Sequence, residues 1–293
     1  KYKIHAPHYD TEFVLDEDGN RVLDESGNPI YNLGTVDYPI REAAFDEPRN
    51  NMYNTTLSSV TAHVLFNDNW SYEFQTSVNW QSRREDYYIK PGSHLAIVGA
   101  GLEGGHKRDR QDHRVDFTVS NRLNYNLSNE DHHLNVLGLY EYNMNEYNSI
   151  VAVAGNFPSP LLNTLVNAAE VRDAISYRSR LTLASYGAFA DYDFRNRYFV
   201  SGSIRRDGSS NFGADVKWGT FWSGSLAWNL AEESFFDVDW VNDLKLRGSY
   251  GSVGNRAGLT RYQAQGTVTF GSYPGGSATE PNRVANPELS WET

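Results

Sequence analysis

Three consecutive segments between residues 194 and 255 alternate their side chains with a period of two, and that pattern limits the fold more than anything else in the chain. In the first, Tyr198, Val200, Gly202 and Ile204 share one face while Phe199, Ser201, Ser203 and Arg205 share the other. Residues 218–230 repeat the pattern, with Trp218, Thr220, Trp222, Gly224, Leu226, Trp228 and Leu230 opposite Gly219, Phe221, Ser223, Ser225, Ala227 and Asn229. Residues 243–251 send Leu244, Leu246, Gly248 and Tyr250 one way and Lys245, Arg247, Ser249 and Gly251 the other. A face carrying Lys and Arg meets water, so these segments are expected to be strands with one apolar and one wet face.

Alternation alone fits both a soluble β-sandwich and a membrane barrel. The aromatics favour the barrel. Tyr192, Phe194, Tyr198, Trp218, Trp222 and Trp228 gather near strand ends, as girdles at two membrane interfaces do. Aromatic residues make up 14% of the chain against a mean hydropathy of -0.60, an excess that a lipid-facing surface explains. No apolar run approaches the roughly 20 residues of a membrane-spanning helix, so any membrane crossing is by strands. The net charge of -11 argues against nucleic acid as a partner. With no cysteine, disulfide frameworks and thiolate metal sites are excluded.

Earlier in the chain, residues 1–54 are polar and rich in turns, and Val14-Leu-Asp-Glu-Asp-Gly-Asn20 is echoed by Val22-Leu-Asp-Glu-Ser-Gly-Asn28. Each copy ends in a glycine turn signal, so a small surface hairpin is expected. The spacing of Asp16, Asp18 and Asn20 has the look of a calcium loop, but its glycine comes too early and no Glu closes it. No metal site is expected. Alternating strands follow over 57–66 and 70–80, then over 113–127 and 134–150, and again from about 177 to 194. Polar loops are expected over 82–111, 150–176 and 207–217. The basic run His106-Lys-Arg-Asp-Arg110 reads as a solvated loop, or more sharply as a contact for an anionic ligand or lipid headgroup. His132 and His133 point to opposite faces and read as surface histidines. Short connections near 67, 128 and 194 alternate with the long ones, as in outer-membrane barrels. The sum is about eight strands.

The run Arg197-Tyr-Phe-Val-Ser-Gly-Ser-Ile-Arg-Arg-Asp-Gly-Ser-Ser210, followed by Phe212-Gly213, Trp218-Gly-Thr-Phe221, Ser225-Leu-Ala-Trp228, Glu232-Glu-Ser-Phe235, Leu244-Lys-Leu-Arg-Gly-Ser-Tyr-Gly251, Gly254-Asn255 and Asn286-Pro-Glu-Leu-Ser-Trp-Glu292, resembles the SusC/RagA family of TonB-linked outer-membrane proteins of Bacteroidetes. The resemblance is specific over residues 185–293 and rests on strand rhythm elsewhere. It implies an all-β fold, an antiparallel transmembrane β-barrel segment of about eight strands within a larger, 22-stranded barrel with long extracellular loops. Residues 1–54 are then an extracellular loop region and 55–293 part of the barrel wall, with the plug, the TonB-contacting segment and the signal peptide lying outside this sequence. The resemblance further implies import of oligosaccharides or peptides beneath a SusD-like surface lipoprotein, energised by the TonB-ExbB-ExbD complex, in an outer membrane whose lipid the strands face. A β-rich surface binding or adhesion module without transport is the alternative.

No cofactor and no catalytic residue is expected. Arg205-Arg206-Asp207-Gly208 reads as a strand end entering a turn, with Arg205 toward the lumen and Asp207 pairing locally, and the acidic pairs Asp16/Asp18, Asp191/Asp193 and Glu232/Glu233 read as solvated. Substrate contact is expected from loop aromatics, Tyr87, Tyr88, Tyr262 and Tyr273, whose rings can stack on sugars.

Overall fold

The computed structural model describes residues 13–25, 27, 29–30, 48–98, 101–236, 238, 240–273 and 276–292. Eight strands follow one another along the chain and lie side by side in the same order: β1 (Arg49–Leu65), β2 (Trp70–Ile89), β3 (His106–Ser128), β4 (His132–Gly155), β5 (Glu170–Phe194), β6 (Tyr198–Ser209), β7 (Trp218–Asn229) and β8 (Lys245–Ser252). β9 (Thr267–Tyr273) and β10 (Gly276–Arg283) form a separate two-stranded sheet. The one α-helix among the described residues, α1 (His94–Val98), is far too short to cross a membrane. β1 and β8 do not pair with each other among the described residues, so the eight-stranded sheet is open.

The chain divides into two compact units. One comprises Lys1–Thr55, Gln81–His113 and Asn148–Arg178; the other comprises Thr56–Trp80, Arg114–Tyr147 and Ser179–Thr293. Strands of 20 to 25 residues such as β2 to β5 are about twice what a bilayer needs, since some 9–11 tilted residues suffice. Each long strand therefore carries a polar stretch in addition to its apolar one. That corrects three sequence expectations: residues 82–89 and 106–111 are strand and not loop, β4 runs on to Gly155, and β5 starts at Glu170. Charged side chains on both faces hid the continuing ladder from a reading based on apolar alternation. β1 likewise starts at Arg49, eight residues ahead of the strand expected over 57–66.

The repeat at the N-terminal end closes on itself. The Val22 amide donates to the Val14 carbonyl (2.9 Å), Ile30 to Val22 (2.8 Å) and Val14 to Ile30 (2.9 Å), giving a ring of three hydrogen bonds. Gly19 and Gly27, at φ of 82° and 83°, make the two turns a side chain would oppose. Asp16 Oδ1 accepts from the amides of Asp18 (3.1 Å) and Asn20 (2.7 Å), so the carboxylate serves its own turn.

In the second unit the registers set the two faces. Ala188 lies opposite Ile204 and Ile204 opposite Trp222; Val200 lies opposite Tyr192 and Leu226, and Leu226 opposite Gly248. This face ends in two aromatic rows. Phe194, Tyr198 and Trp228 stack in succession (6.3 and 6.4 Å), with His132 against Phe194 and Phe235 against Trp228. Tyr140, Tyr186 and Trp218 form the other row (5.1 and 5.9 Å), and Trp222 meets Tyr250. From Tyr186 to Phe194 at about 3.3 Å per residue is roughly 26 Å along the strand, the height of a barrel's apolar band. Leu226, between the rows, is 65% exposed.

An Arg in place of Leu226 is expected to cost roughly 2–4 kcal/mol of folding into lipid, because the charge would stand in the middle of the band. An Arg in place of Ser225, one residue away on the polar face, is expected to fold as the parent does. Urea titration of vesicle-refolded protein distinguishes the two, and equal midpoints would contradict the assignment of faces.

Candidate functional site

The polar face is held by ion pairs and amide contacts between neighbouring strands. In the first unit, Glu85, 2% exposed, accepts from Arg49 Nη2 at 3.0 Å and pairs with Arg83 on its own strand. Arg83 Nη1 lies 4.0 Å from Asp112, whose carboxylate also takes Arg110 Nε at 2.9 Å and the Ser149 hydroxyl at 2.7 Å. The chain of charges thus runs across β1, β2, β3 and β4. Near it Lys107, buried, is paired with Asp86 and Asp109, so the basic run at 106–110 is strand and its lysine is already neutralised. A buried amine with two carboxylates is the arrangement that avoids an uncompensated charge.

In the second unit, Arg122 Nη1 meets Glu73 at 2.7 Å, the Thr118 hydroxyl donates to Asn143 at 2.8 Å, and Asn145 meets Asp116. Arg205 Nε donates to both Asp207 oxygens (2.7 and 3.0 Å) and its Nη2 reaches Ser185 Oγ at 3.1 Å, the local pairing the sequence suggests. Lys245 Nζ stands 3.4 Å from the centre of the Phe199 ring.

Three connecting runs that are far apart in sequence meet in space. The 210–217 connection leaves β6 through Ser209, whose hydroxyl donates to Asn211, and Asn211 Nδ2 donates to the Thr260 carbonyl at 2.9 Å. The Gly213 amide donates to the Leu289 carbonyl at 3.1 Å, and Trp291 packs on Phe212 (4.9 Å) and Phe221 (5.4 Å) while its Nε1 donates to the Lys217 carbonyl at 3.0 Å. A Cβ at Gly213 would lie 1.7 Å from the Pro287 carbonyl oxygen, so only glycine fits there. Asn255 and Glu292 form an antiparallel bridge next in line after β8. Arg261 reaches the Ser179 hydroxyl at 2.8 Å and also Asn145, with Ser179 itself 1% exposed. The runs Asp207–Gly213, Gly254–Asn255 and Asn286–Glu292, separated in sequence, therefore form one packed node.

Short turns close the opposite strand ends. Arg195 and Asn196 both take φ of 57°, the geometry of a tight primed hairpin. Arg195 offsets that strain with a bidentate pair to Asp131 (2.9 and 3.0 Å) in the neighbouring turn, and its amide donates to the Asp131 carbonyl. The guanidinium holds the Asp131 carboxyl below its ordinary range, and hydrogen bonds from Tyr198 and then Trp228 do the same for Glu233.

The four aromatics expected at a ligand divide between the units. Tyr87 and Tyr88 lie near the end of β2 and not in a loop, for the reason given above. Tyr87 is half-buried, with the Arg49 guanidinium 5.6 Å over its ring and His106 at its edge. Tyr88 is 2% exposed, edge-on to Phe157 at 5.2 Å. Tyr262 is half-buried and its hydroxyl accepts from the Arg180 amide at 3.0 Å. Tyr273 ends β9, and its side chain lies outside the described residues. The Glu85–Arg83–Asp112 network was not singled out from sequence; opposite charges two residues apart on one strand, Arg83 with Glu85 and Arg110 with Asp112, were the available signal. No group of three or more metal-ligating side chains occurs among the described residues.

A meander with one apolar face banded by aromatics and one ion-paired polar face is the wall of a transmembrane β-barrel. The chain belongs to the TonB-dependent receptor-like β-barrel family, whose model matches residues 2–293. It is 28% identical over 290 residues to TonB-dependent receptor P3 of Formosa agariphila, covering 96% of this chain and 28% of that protein. To the TonB-dependent receptor SusC of Bacteroides thetaiotaomicron it is 37% identical over 134 residues, 42% of this chain and 13% of SusC. The fold matches the structure of the RagAB peptide transporter with a TM-score of 0.78 at 22% identity, over 91% of this chain and 30% of that one. The chain thus spans under a third of the length of these relatives.

Two outcomes follow from the node and the turns. Gly213→Ala is expected to cost about 1–3 kcal/mol by overpacking and to speed proteolysis within 210–217. Gly248→Ala, with nothing within 4 Å of the added carbon, is expected to do neither. Because the Asp131 carboxyl is held low, its contribution is present above the ordinary carboxylate range and is lost as pH falls through the lowered value. The protection factors of the amides at residues 195–197, each rate taken against the intrinsic rate at the same pH, should therefore fall once the pH drops below the ordinary carboxylate range, and Asp131→Asn should show the lower protection at every pH.

Proposed function

We propose that this chain is a portion of the wall and loops of a SusC-type outer-membrane importer. It forms the barrel and loop surface past which an oligosaccharide or peptide travels, with a SusD-like lipoprotein over the mouth and the TonB-ExbB-ExbD complex driving the cycle through a segment outside this sequence. Residues 1–54 belong in this reading to an extracellular region and 55–293 to the barrel. The chain contributes no bond-making chemistry.

The observation that carries the reading is the pairing of an aromatic-banded apolar face with a charged face across the same strands. Backbone groups at the open edges of β1 and β8 would be unsatisfied in hydrocarbon, so a bilayer requires further strands to complete the ring. Relatives more than three times as long have the length for those strands. The ion-paired face is the side on which a polar cargo would pass, and the likeness to the RagAB peptide transporter keeps peptides beside glycans as cargo. Among the four expected aromatics, Tyr87 and Tyr262 are the half-buried rings through which we propose substrate contact; the Tyr88 ring is enclosed by Phe157.

The test is uptake by cells carrying the full-length receptor that contains this chain. Labelled oligosaccharides and peptides should accumulate only with TonB present, and the purified receptor should stay monodisperse only in detergent. Tyr87→Ala is expected to lower uptake roughly 2- to 13-fold, the scale of about 0.5–1.5 kcal/mol of ring stacking, while leaving the amount of folded receptor unchanged. A receptor that is monodisperse without detergent and moves no solute would instead be a binding or adhesion module.

A further inference from the structure

After β8 the chain turns back over the strands that precede it, and it does so on their polar face. Gly254 lies against the Phe221 ring of β7, so close that an added Cβ would run into the ring. Phe221 stands opposite Arg205 in the register and shares its face. Thr260 comes next to the end of β6, its carbonyl accepting from Asn211 Nδ2 at 2.9 Å. Arg261 then reaches across β5 to β4: Nη1 donates to the Ser179 hydroxyl (2.8 Å) and carbonyl (3.2 Å), and Nη2 donates to Asn145. Ser179 has the parity of Ser185, the partner of Arg205, and Asn145 that of Asn143, the partner of Thr118. The contacts thus follow the sheet backwards through β7, β6, β5 and β4 along its polar side.

The run is fastened at several points. The Tyr262 hydroxyl accepts from the Arg180 amide at 3.0 Å, beyond the point where the β5–β6 ladder stops at Leu183 and Ser209. The Thr260 hydroxyl accepts from Arg283 Nη1 at 3.2 Å, and the Ala264 carbonyl from the Asn286 amide at 3.1 Å. Arg261 holds two strands at once because a guanidinium is a planar fork, whereas a lysine ammonium is a point donor. Its anchor Asn145 is itself fixed, donating through Nδ2 to Asp116. With Arg261 over it, Ser179 is 1% exposed. Ser179 lies roughly 23 Å along β5 from Tyr186 at about 3.3 Å per residue, so this layer sits outside the aromatic row, toward the long connections.

We propose that residues 254–262 form a ledge on the inner wall that sets the largest cargo the passage admits, and that Arg261 is the positioning residue that holds the ledge down. A second backbone layer packed on a sheet stands about 10 Å from it, so the ledge narrows the passage by up to that amount over an arc of four strands. The depth of the anchor decides against a mere cap on the strand ends: β4 runs on to Gly155, ten residues past Asn145, and β5 begins at Glu170, nine residues ahead of Ser179. The partners of Arg261 are neutral, and the neighbouring acids Asp116 and Glu141 are engaged with Asn145 and Asn143, so the ledge selects by bulk and not by charge. The inference rests on the reading of the polar face as the cargo side.

The test uses the full-length receptor, with amide exchange read by mass spectrometry for the ledge and uptake of labelled oligosaccharides and peptides graded by length for its effect. Arg261→Ala should speed exchange over residues 254–262 about tenfold or more, the scale of losing hydrogen bonds from a charged group, and leave β8 as in the parent. Its uptake should shift toward longer cargo, several-fold at lengths the parent admits poorly, with the shortest cargo unchanged. The milder Arg261→Lys should shift the profile the same way, since one point donor cannot hold both strands. Arg247→Gln, in β8 at the other end of the strands, should keep the parent's profile. Unchanged exchange in Arg261→Ala would overturn the proposal, as would faster exchange with an unaltered length profile or with an equal loss at every length. A parent receptor that moves no cargo of any length would overturn the transport reading, and the size limit with it.

Discussion

Backbone hydrogen bonding in an apolar medium is the constraint on which the rest of this molecule depends. Peptide groups in hydrocarbon have no water to turn to, so each must be satisfied by a neighbouring strand. The consecutive order of β1 to β8 answers that requirement with the least chain between partners, each strand pairing with the next through a hairpin. Long registers without interruption, such as Leu183 to Phe194 against Ser209 to Tyr198, keep the ladder complete across the apolar band. The two free edges are where the same requirement is not met within the sheet.

Once pairing is complete, the two faces solve different problems. Toward lipid the sheet needs only shape and amphipathic ends, supplied by Val200, Ile204 and Leu226 between rows of aromatics. The other face has to hold polar groups without leaving charges stranded. It does so by pairing opposite signs, as Arg122 with Glu73 across strands and Arg205 with Asp207 along one, so that these carboxylates see a guanidinium on their own or the next strand. Such a surface stays hydrated and rigid at once.

The two ends of the strands differ for a related reason. Tight turns have few backbone groups to spare, and the Arg195–Asp131 pair braces two of them while offsetting two residues held at positive φ. The long connections brace one another through packing: Trp291 against Phe212 and Phe221, and Gly213 against the Pro287 carbonyl. That node explains the glycine at position 213 and the tryptophan at 291. Close backbone approach needs the one, and a broad ring with a single N–H donor fills and pins the gap with the other.

The sequence by itself determined the strand identity, the two faces and the family, because a period of two is a local property that any correct fold must respect. Arg205 with Asp207, two residues apart at one parity, was equally legible. Strand ends were not: residues 82–89 and 106–111 read as loop because charge on both faces masks the alternation, yet the ladder continues through them. The site was less legible still. Tyr88 looks like a contact residue until Phe157, far along the chain, encloses it. Only the tertiary structure decided which charges are matched and which are free, since pairing depends on what lies across the strand, and that neighbour is set by topology and not by local sequence.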